Sequence, residues 1–216
     1  SIEINKKGER SFSYWRDQSP TKYIFLGSKG KRLLNDIKNS DIFYYSGISV
    51  GILDVKQKEQ LIKVGATANI SGFDFNFRHQ LHNDKKKSQV IFKEINNHVD
   101  INFVSYDDIK QLFNTRNPNQ IFDVLNKENN IILLRYKNLI IFKKFDQEIK
   151  SIKVPHGEVV DTTAAGDAFN GSFLALLNNN KNISIEENIL RSHKVTREVI
   201  KHKGAIIKKD QMPINI

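Results

Sequence analysis

The sequence predicts an α/β fold: a mostly parallel, doubly wound sheet with helices on both of its faces. Short runs of β-branched and aromatic residues alternate with stretches whose apolar residues recur at helical spacing. Alternation of that kind builds a parallel sheet through helical crossovers. A third observation is the run Asp161-Thr162-Thr163-Ala164-Ala165-Gly166-Asp167-Ala168-Phe169-Asn170-Gly171, which sets a carboxylate among small residues where a loop enters a helix.

Taken in order, residues 9–16 and 22–26 read as strands. In the first, Phe12, Tyr14 and Arg16 face one side, and Ser13 and Trp15 the other. Residues 29–38 read as helix and 41–46 as a short buried strand, followed by a helix over 54–64 and a strand over 70–76. A Lys-rich segment then leads into a helix over 90–98, and the strand 101–104 ends at Ser105. Helices follow at 107–113 and 118–126, with Pro118 near the first helical position of the second. Residues 131–134 and 139–144 read as two strands around a short turn. The last two helices span 167–178 and 184–202; Phe169, Phe173, Leu176 and Leu177 give the first of them one buried face. Arg78, Ser105, Asp108 and Arg135 all fall at carboxyl ends of expected strands, where open α/β sheets bind ligands.

Composition bounds the function. A chain of 216 residues can bury a sizeable core as one domain, or as one domain with a small appendage. The absence of cysteine excludes a disulfide framework and any thiolate metal site. No apolar run approaches transmembrane length and no signal-type apolar segment opens the sequence, so no membrane partner and a cytoplasmic location are expected. His79 and His82 sit beside the Lys-rich stretch and read as solvated surface. The net charge of +10 and the patch Lys85-Lys86-Lys87 would attract polyanions. The charge is dispersed, however, and no nucleic-acid-binding motif accompanies it, so no nucleic acid is expected as a partner. Mild basicity also suits anionic small molecules.

The chemistry concentrates at the run from Asp161. The first N–H groups of the following helix have no partners inside it and carry the positive end of its macrodipole, a natural seat for a transferring phosphoryl group. Small residues at 164–166 let a phosphate approach the main chain, and Asp167 can take the proton of an attacking hydroxyl. The plainer alternative is that Asp161, Thr162 and Asp167 merely cap a core helix.

The run as a whole resembles the C-terminal signature of the PfkB (ribokinase-like) carbohydrate kinases, usually DTxGAGDxF. The resemblance implies that Asp167 is the catalytic base and that the backbone N–H groups of Ala165, Gly166 and Asp167 form an anion hole. Ala164 stands where the family usually has Gly, and a positive φ there would strain an alanine. Further stretches resemble the 2-keto-3-deoxygluconate kinases of that family. Gly8 to Arg16 is similar to their GERTFYYWR, Asp74-Phe75-Asn76-Phe77-Arg78 to DxNYR, and Ser105-Tyr106-Asp107-Asp108 to SFDD. Val199 to Ile207, with Met212-Pro213, is similar to their ending.

The resemblance therefore implies a ribokinase-like fold that transfers phosphate from ATP, with Mg²⁺, to 2-dehydro-3-deoxy-D-gluconate, giving its 6-phosphate. Residues 1–25 would be the remnant of a β lid with substrate-contact strands. Residues 26–216 would be the α/β nucleotide-binding and catalytic domain, incomplete on its N-terminal side, because such kinases run to about three hundred residues, a size still compatible with one large domain. A sugar acid calls for an Arg that can grip its carboxylate and an aromatic that packs and hydrogen-bonds; the resemblance supplies Tyr14, Trp15, Arg16 and Arg78. It places Asn76, Arg78, Arg135, Lys137, Ala164, Ala165, Gly166 and His193 on the nucleotide. The loop Arg135-Tyr136-Lys137-Asn138 is shorter than the family's and lacks its Gly. Ser105 and Asp108 stand where many sugar kinases carry an Asn-x-x-Glu motif. They read equally as oxygen donors acting through water on Mg²⁺ and as a helix N-cap. Another ribokinase-like kinase, such as a fructokinase or ribokinase, and an inactive remnant are the alternatives. The lid often mediates pairing in the family, which leaves homo-oligomer formation open.

Overall fold

The structure, a computed structural model, describes residues 2–4, 10–12, 19–82, 84–125, 127–128 and 130–213. Two short antiparallel strands, β1 (Ile2–Ile4) and β2 (Arg10–Phe12), pair with each other. The chain continues as α1 (Gly27–Lys38), β3 (Ile42–Ser46), α2 (Gly47–Ile52), α3 (Val55–Gly65), β4 (Ile70–Asp74) and α4 (Lys85–Asn96). Next come β5 (Ile101–Ser105), α5 (Tyr106–Phe113), α6 (Gln120–Val124), β6 (Ile131–Tyr136), β7 (Leu139–Lys144), β8 (Lys150–Lys153), α7 (Ala165–Asn179) and α8 (Ile185–Val199).

Strands β3 to β8 form one sheet in sequence order, with β3, β4, β5 and β6 parallel and β7 and β8 antiparallel. The mostly parallel sheet expected from the sequence is present, and the helices cover both faces. The two-residue period of a strand divides the core. Phe73, Val104, Ile132 and Leu134 pack under α1 to α6, while Ile101, Phe103, Leu133 and Ile140 pack under α7 and α8. Four helices start on a side chain that accepts a backbone N–H of the first turn: Asp54 for α3, Asp84 for α4, Ser105 for α5 and Ser184 for α8.

Several expectations are corrected. The strand expected at 22–26 is a 3-10 turn at Pro20–Tyr23: Ser19 accepts the N–H of Thr21, and Pro20 fixes the first turn. Helix α4 begins at Lys85 rather than near 90, because Asp84 caps a lysine-rich turn that carries no apolar stripe. Pro118 lies ahead of α6 instead of within its first turn, accepting the N–H of Ile121 through its carbonyl at 3.4 Å. Two elements were not anticipated, the six-residue α2 and the edge strand β8. His82 is buried, not solvated. Its ring stacks on Phe77 at 5.1 Å and its Nε2 meets the Gly47 carbonyl at 3.0 Å; burial lowers its pKa.

Candidate active site

Pleat and register decide which side chains meet α7 at the carboxyl ends of the strands. Tyr44 pairs with Gly72, Asp74 with Phe103, and Ser105 with Arg135. Tyr44, Asp74 and Arg135 therefore share the face occupied by Phe103 and Leu133, which is the α7 face. Gly72 lets that helix settle: a Cβ there would lie 3.2 Å from both terminal methyls of Leu174. Asp74, only 3% exposed, accepts from Asn170 Nδ2 at 2.8 Å, from the Asn76 N–H at 3.0 Å and from the Tyr44 hydroxyl at 3.4 Å. Arg135 Nη2 stands 3.6 Å from the same carboxylate.

The loop before α7 is fastened to the segment that follows α8. Val160 and Asp161 both donate their N–H groups to the Ile200 carbonyl, at 2.8 and 3.0 Å. The Asp161 carboxylate in turn accepts the N–H groups of Thr163 at 2.8 Å and Gly204 at 2.9 Å. Ala164 then turns the chain into the helix with φ 60° and ψ 13°, the left-handed conformation that the family's usual Gly would adopt freely. No side chain caps α7. The Ala165 N–H donates to the Thr162 carbonyl at 3.2 Å, so the turn already engages one of the three N–H groups expected to form an anion hole. Ala164→Gly is expected to stabilise the fold by about 1 kcal/mol, read as a higher urea midpoint with an unchanged slope.

Asp167, in the first turn, is exposed to the cleft. Partial burial and the negative charge of Asp74 push its pKa up, while Arg135 and a hydrogen bond from Tyr44 pull it down. The guanidinium of Arg135 lies across this turn: a Cβ at Gly166 would sit 2.9 Å from its Nη1. Only glycine at 166 lets the cation pack there undisplaced.

These groups open into a cleft of about 890 Å³. All of the residues expected to touch nucleotide line it: Asn76, Arg78, Arg135, Lys137, Ala164, Ala165, Gly166 and His193, together with Asp167. Asn76 has φ 29°, held by its N–H bond to Asp74. Arg78 donates to the carbonyl of Phe77 at 2.9 Å and faces Asp108 at 3.6 Å. Lys137, at the tight β6–β7 turn, places Nζ 5.2 Å from the centre of the Tyr136 ring. His193 of α8 contacts the Pro155 carbonyl through Nε2 at 3.0 Å, and burial lowers its pKa. Ser105 caps α5: its Oγ accepts the Asp108 N–H at 3.1 Å and donates to Asp108 Oδ2 at 2.7 Å. Burial raises the pKa of Asp108. Tyr14, Trp15 and Arg16 lie outside the described residues.

Sequence reasoning missed Tyr44, Asp74 and Asn170. A signal existed for Asn170, a polar residue beside the apolar stripe of α7 that is fully buried. Among the described residues no helix is long and apolar enough to cross a membrane, and no three His, Cys, Asp or Glu side chains gather as a metal cage.

Comparison with known proteins agrees with this fold. The chain is 29% identical over 227 residues to the 2-dehydro-3-deoxygluconokinase of Escherichia coli (strain K12), an alignment covering 98% of this chain and 71% of that protein. Its fold matches a fructokinase with bound ATP from Xylella fastidiosa at TM-score 0.73 and 18% identity, over 98% of this chain and 69% of that one. It matches a ribokinase from Thermotoga maritima at TM-score 0.67 and 19% identity, again over 98% of this chain but 65% of the other, so it spans less than two thirds of that structure. The profile of the pfkB family carbohydrate kinases matches residues 1–212. With a ribokinase-like sheet, an uncapped α7 and the family profile running almost end to end, the chain belongs to the pfkB family of carbohydrate kinases.

Proposed function

We propose that this kinase transfers the γ-phosphoryl group of ATP to a hydroxyl of 2-dehydro-3-deoxy-D-gluconate, giving the 6-phosphate and ADP. The observation that carries the reading is Asp167 at the uncapped start of α7, with Arg135 laid over Gly166 beside it. Asp167 takes the hydroxyl proton as the sugar oxygen bonds to phosphorus and the bond to the bridging oxygen of ADP breaks. Arg135 and the first-turn N–H groups offset charge on the phosphoryl oxygens. Arg78 is half-exposed toward the cleft and offers a guanidinium edge to a sugar-acid carboxylate. His193 and Lys137 border the nucleotide side.

The donor set fits Mg²⁺, an ion usually held by one or two carboxylates together with phosphates and water rather than by an all-protein cage. Asp107 and Asp108 line the cleft, and Ser105 and Asp108 would hold the ion through water. When bound, it supplies further charge neutralisation on the phosphates.

The likeness to 2-dehydro-3-deoxygluconokinase supports the sugar acid as substrate. The test is ATP consumption by the chain with 2-dehydro-3-deoxy-D-gluconate, beside fructose and ribose. Turnover confined to the sugar acid is expected. Equal or better turnover of a neutral sugar would move the assignment to a fructokinase or ribokinase, and turnover of none would count against activity of this chain.

A further inference from the structure

The side chain of Asn170 on α7 reaches three strands of the sheet. It is fully buried, and its Nδ2 donates to Asp74 Oδ2 of β4 at 2.8 Å and to the Tyr44 hydroxyl of β3 at 3.1 Å. Its Oδ1 faces Arg135 Nη1 of β6 at 3.5 Å. Arg135 therefore stands between Asn170 and Asp74, whose carboxylate lies 3.6 Å from Nη2.

The arrangement uses both ends of the carboxamide. Nδ2 meets acceptors and Oδ1 meets a cation, which requires a donor and an acceptor on one planar group. Leucine has nearly the same size and offers neither, while aspartate would set a second carboxylate against Asp74. Asparagine is also a poor choice for the interior of a helix, so neither helix propensity nor apolar burial accounts for it there.

What the carboxamide adds is direction. Other contacts of α7 with the sheet are apolar: Phe169 and Phe173 stand edge-on to Phe103 at 6.5 and 5.9 Å, and Leu174 lies against Gly72. Apolar burial is non-directional and tolerates a small slide, whereas hydrogen bonds weaken steeply out of line. Asn170 lies about one turn beyond Asp167, so the two are neighbours along one side of the helix. A roll or slide that broke the Asn170 bonds would carry Asp167 and the first-turn N–H groups with it.

We propose that Asn170 is a positioning residue for phosphoryl transfer: its carboxamide fixes the seat of α7 on β3, β4 and β6, and thereby the placement of Asp167 in the cleft. The proposal rests on the kinase reading, and it has Asn170 act through Asp167 rather than on substrate.

The experiment is steady-state kinetics of the full chain with ATP and 2-dehydro-3-deoxy-D-gluconate, with urea midpoints to show that each variant is folded. Asn170→Leu keeps the volume and removes both polar functions. Its kcat should fall about 100-fold with the KM for ATP little changed, as for a catalytic group misplaced by about 1 Å. A second protein exchanges the two groups, Asn170→Asp with Asp74→Asn. Asn at position 74 keeps Oδ1 for the Asn76 N–H and turns Nδ2 toward the new carboxylate, which restores the donor–acceptor pair in reverse at unchanged net charge. The exchange should recover about tenfold of the lost kcat, the size of coupling expected between residues in contact.

A purely structural role would lower the urea midpoint of Asn170→Leu and leave the kcat of the folded protein undiminished. That result, a change confined to the KM for ATP, or an exchange protein no more active than Asn170→Leu would each overturn the proposal. If Asn170→Leu does not fold, Asn170→Ala decides by the same criteria, its small side chain and high helix propensity favouring folding. Absence of turnover by the unmodified chain would overturn the kinase reading and this proposal with it. Turnover that survives the substitution overturns this proposal alone.

Discussion

Asp167→Asn is expected to lower kcat by about 10³-fold, within the span that a positioned general base contributes, while leaving ATP affinity nearly unchanged. Asn has the shape of Asp but cannot accept the hydroxyl proton, so the loss falls on the chemical step. It also removes a negative charge from the site to which the triphosphate comes, which if anything favours nucleotide binding. The pH dependence carries the same signature. A base works only when deprotonated, and Asp167 is held above its ordinary value by partial burial and by Asp74. The acid limb of kcat/KM should therefore lie above the usual carboxylate value of about 3.9, and the residual activity of Asp167→Asn should lack it. Turnover against pH for both proteins, with ATP titrated calorimetrically, checks each part. Loss of ATP binding in a folded Asp167→Asn would assign the residue to nucleotide contact instead.

Arg135→Met should lower kcat by about 100-fold or more, the usual cost of removing one donor aimed at developing charge. The side chain lies across Gly166 and is 27% exposed, so its charge is only partly screened by water. Met retains the aliphatic stem that packs on the turn, and the variant isolates the guanidinium. Its removal also leaves Asp74 without its cation, though Asn170, Tyr44 and the Asn76 N–H remain. A stability loss of about 1–3 kcal/mol is expected, read by urea denaturation. Arg135→Lys should rescue stability better than turnover, because an ammonium restores charge without the planar fork. Full activity in Arg135→Met would place the phosphoryl group elsewhere in the cleft.

The middle of the sheet was legible because β6 reads as a near-continuous apolar run and β5 carries Ile101, Phe103 and Val104. Strand β8 escaped notice because Lys150 to Lys153 lies on an edge with its lysines in solvent. The apolar run Tyr23 to Leu26 misled in the opposite direction: Tyr23, Ile24 and Leu26 are largely exposed, and the Ser19-Pro20 start decides the local geometry. That Asp167 and its small neighbours stand at the start of a helix was legible, because that turn is contiguous in sequence. Tyr44, Asp74 and Asn170 were not, because their contacts span 30, 96 and 126 residues and are set by strand register. Ala164 lies between these cases. The sequence showed where an alanine would be strained, and the structure gives the φ of 60° that makes the condition real.

The clamp formed by Asp161, Ile200 and Gly204 has a practical consequence for handling the protein. The core packs through α8 up to Val199, whereas the loop before α7 is tied to residues just beyond it. Nicking or trimming by a protease after α8 is expected to leave a particle that melts and elutes much like the intact one yet has lost the tie that sets the turn into α7. Purity and thermal stability are thus poor assays of competence for this fold, and intact mass through Gly204 is the quality check that tracks it.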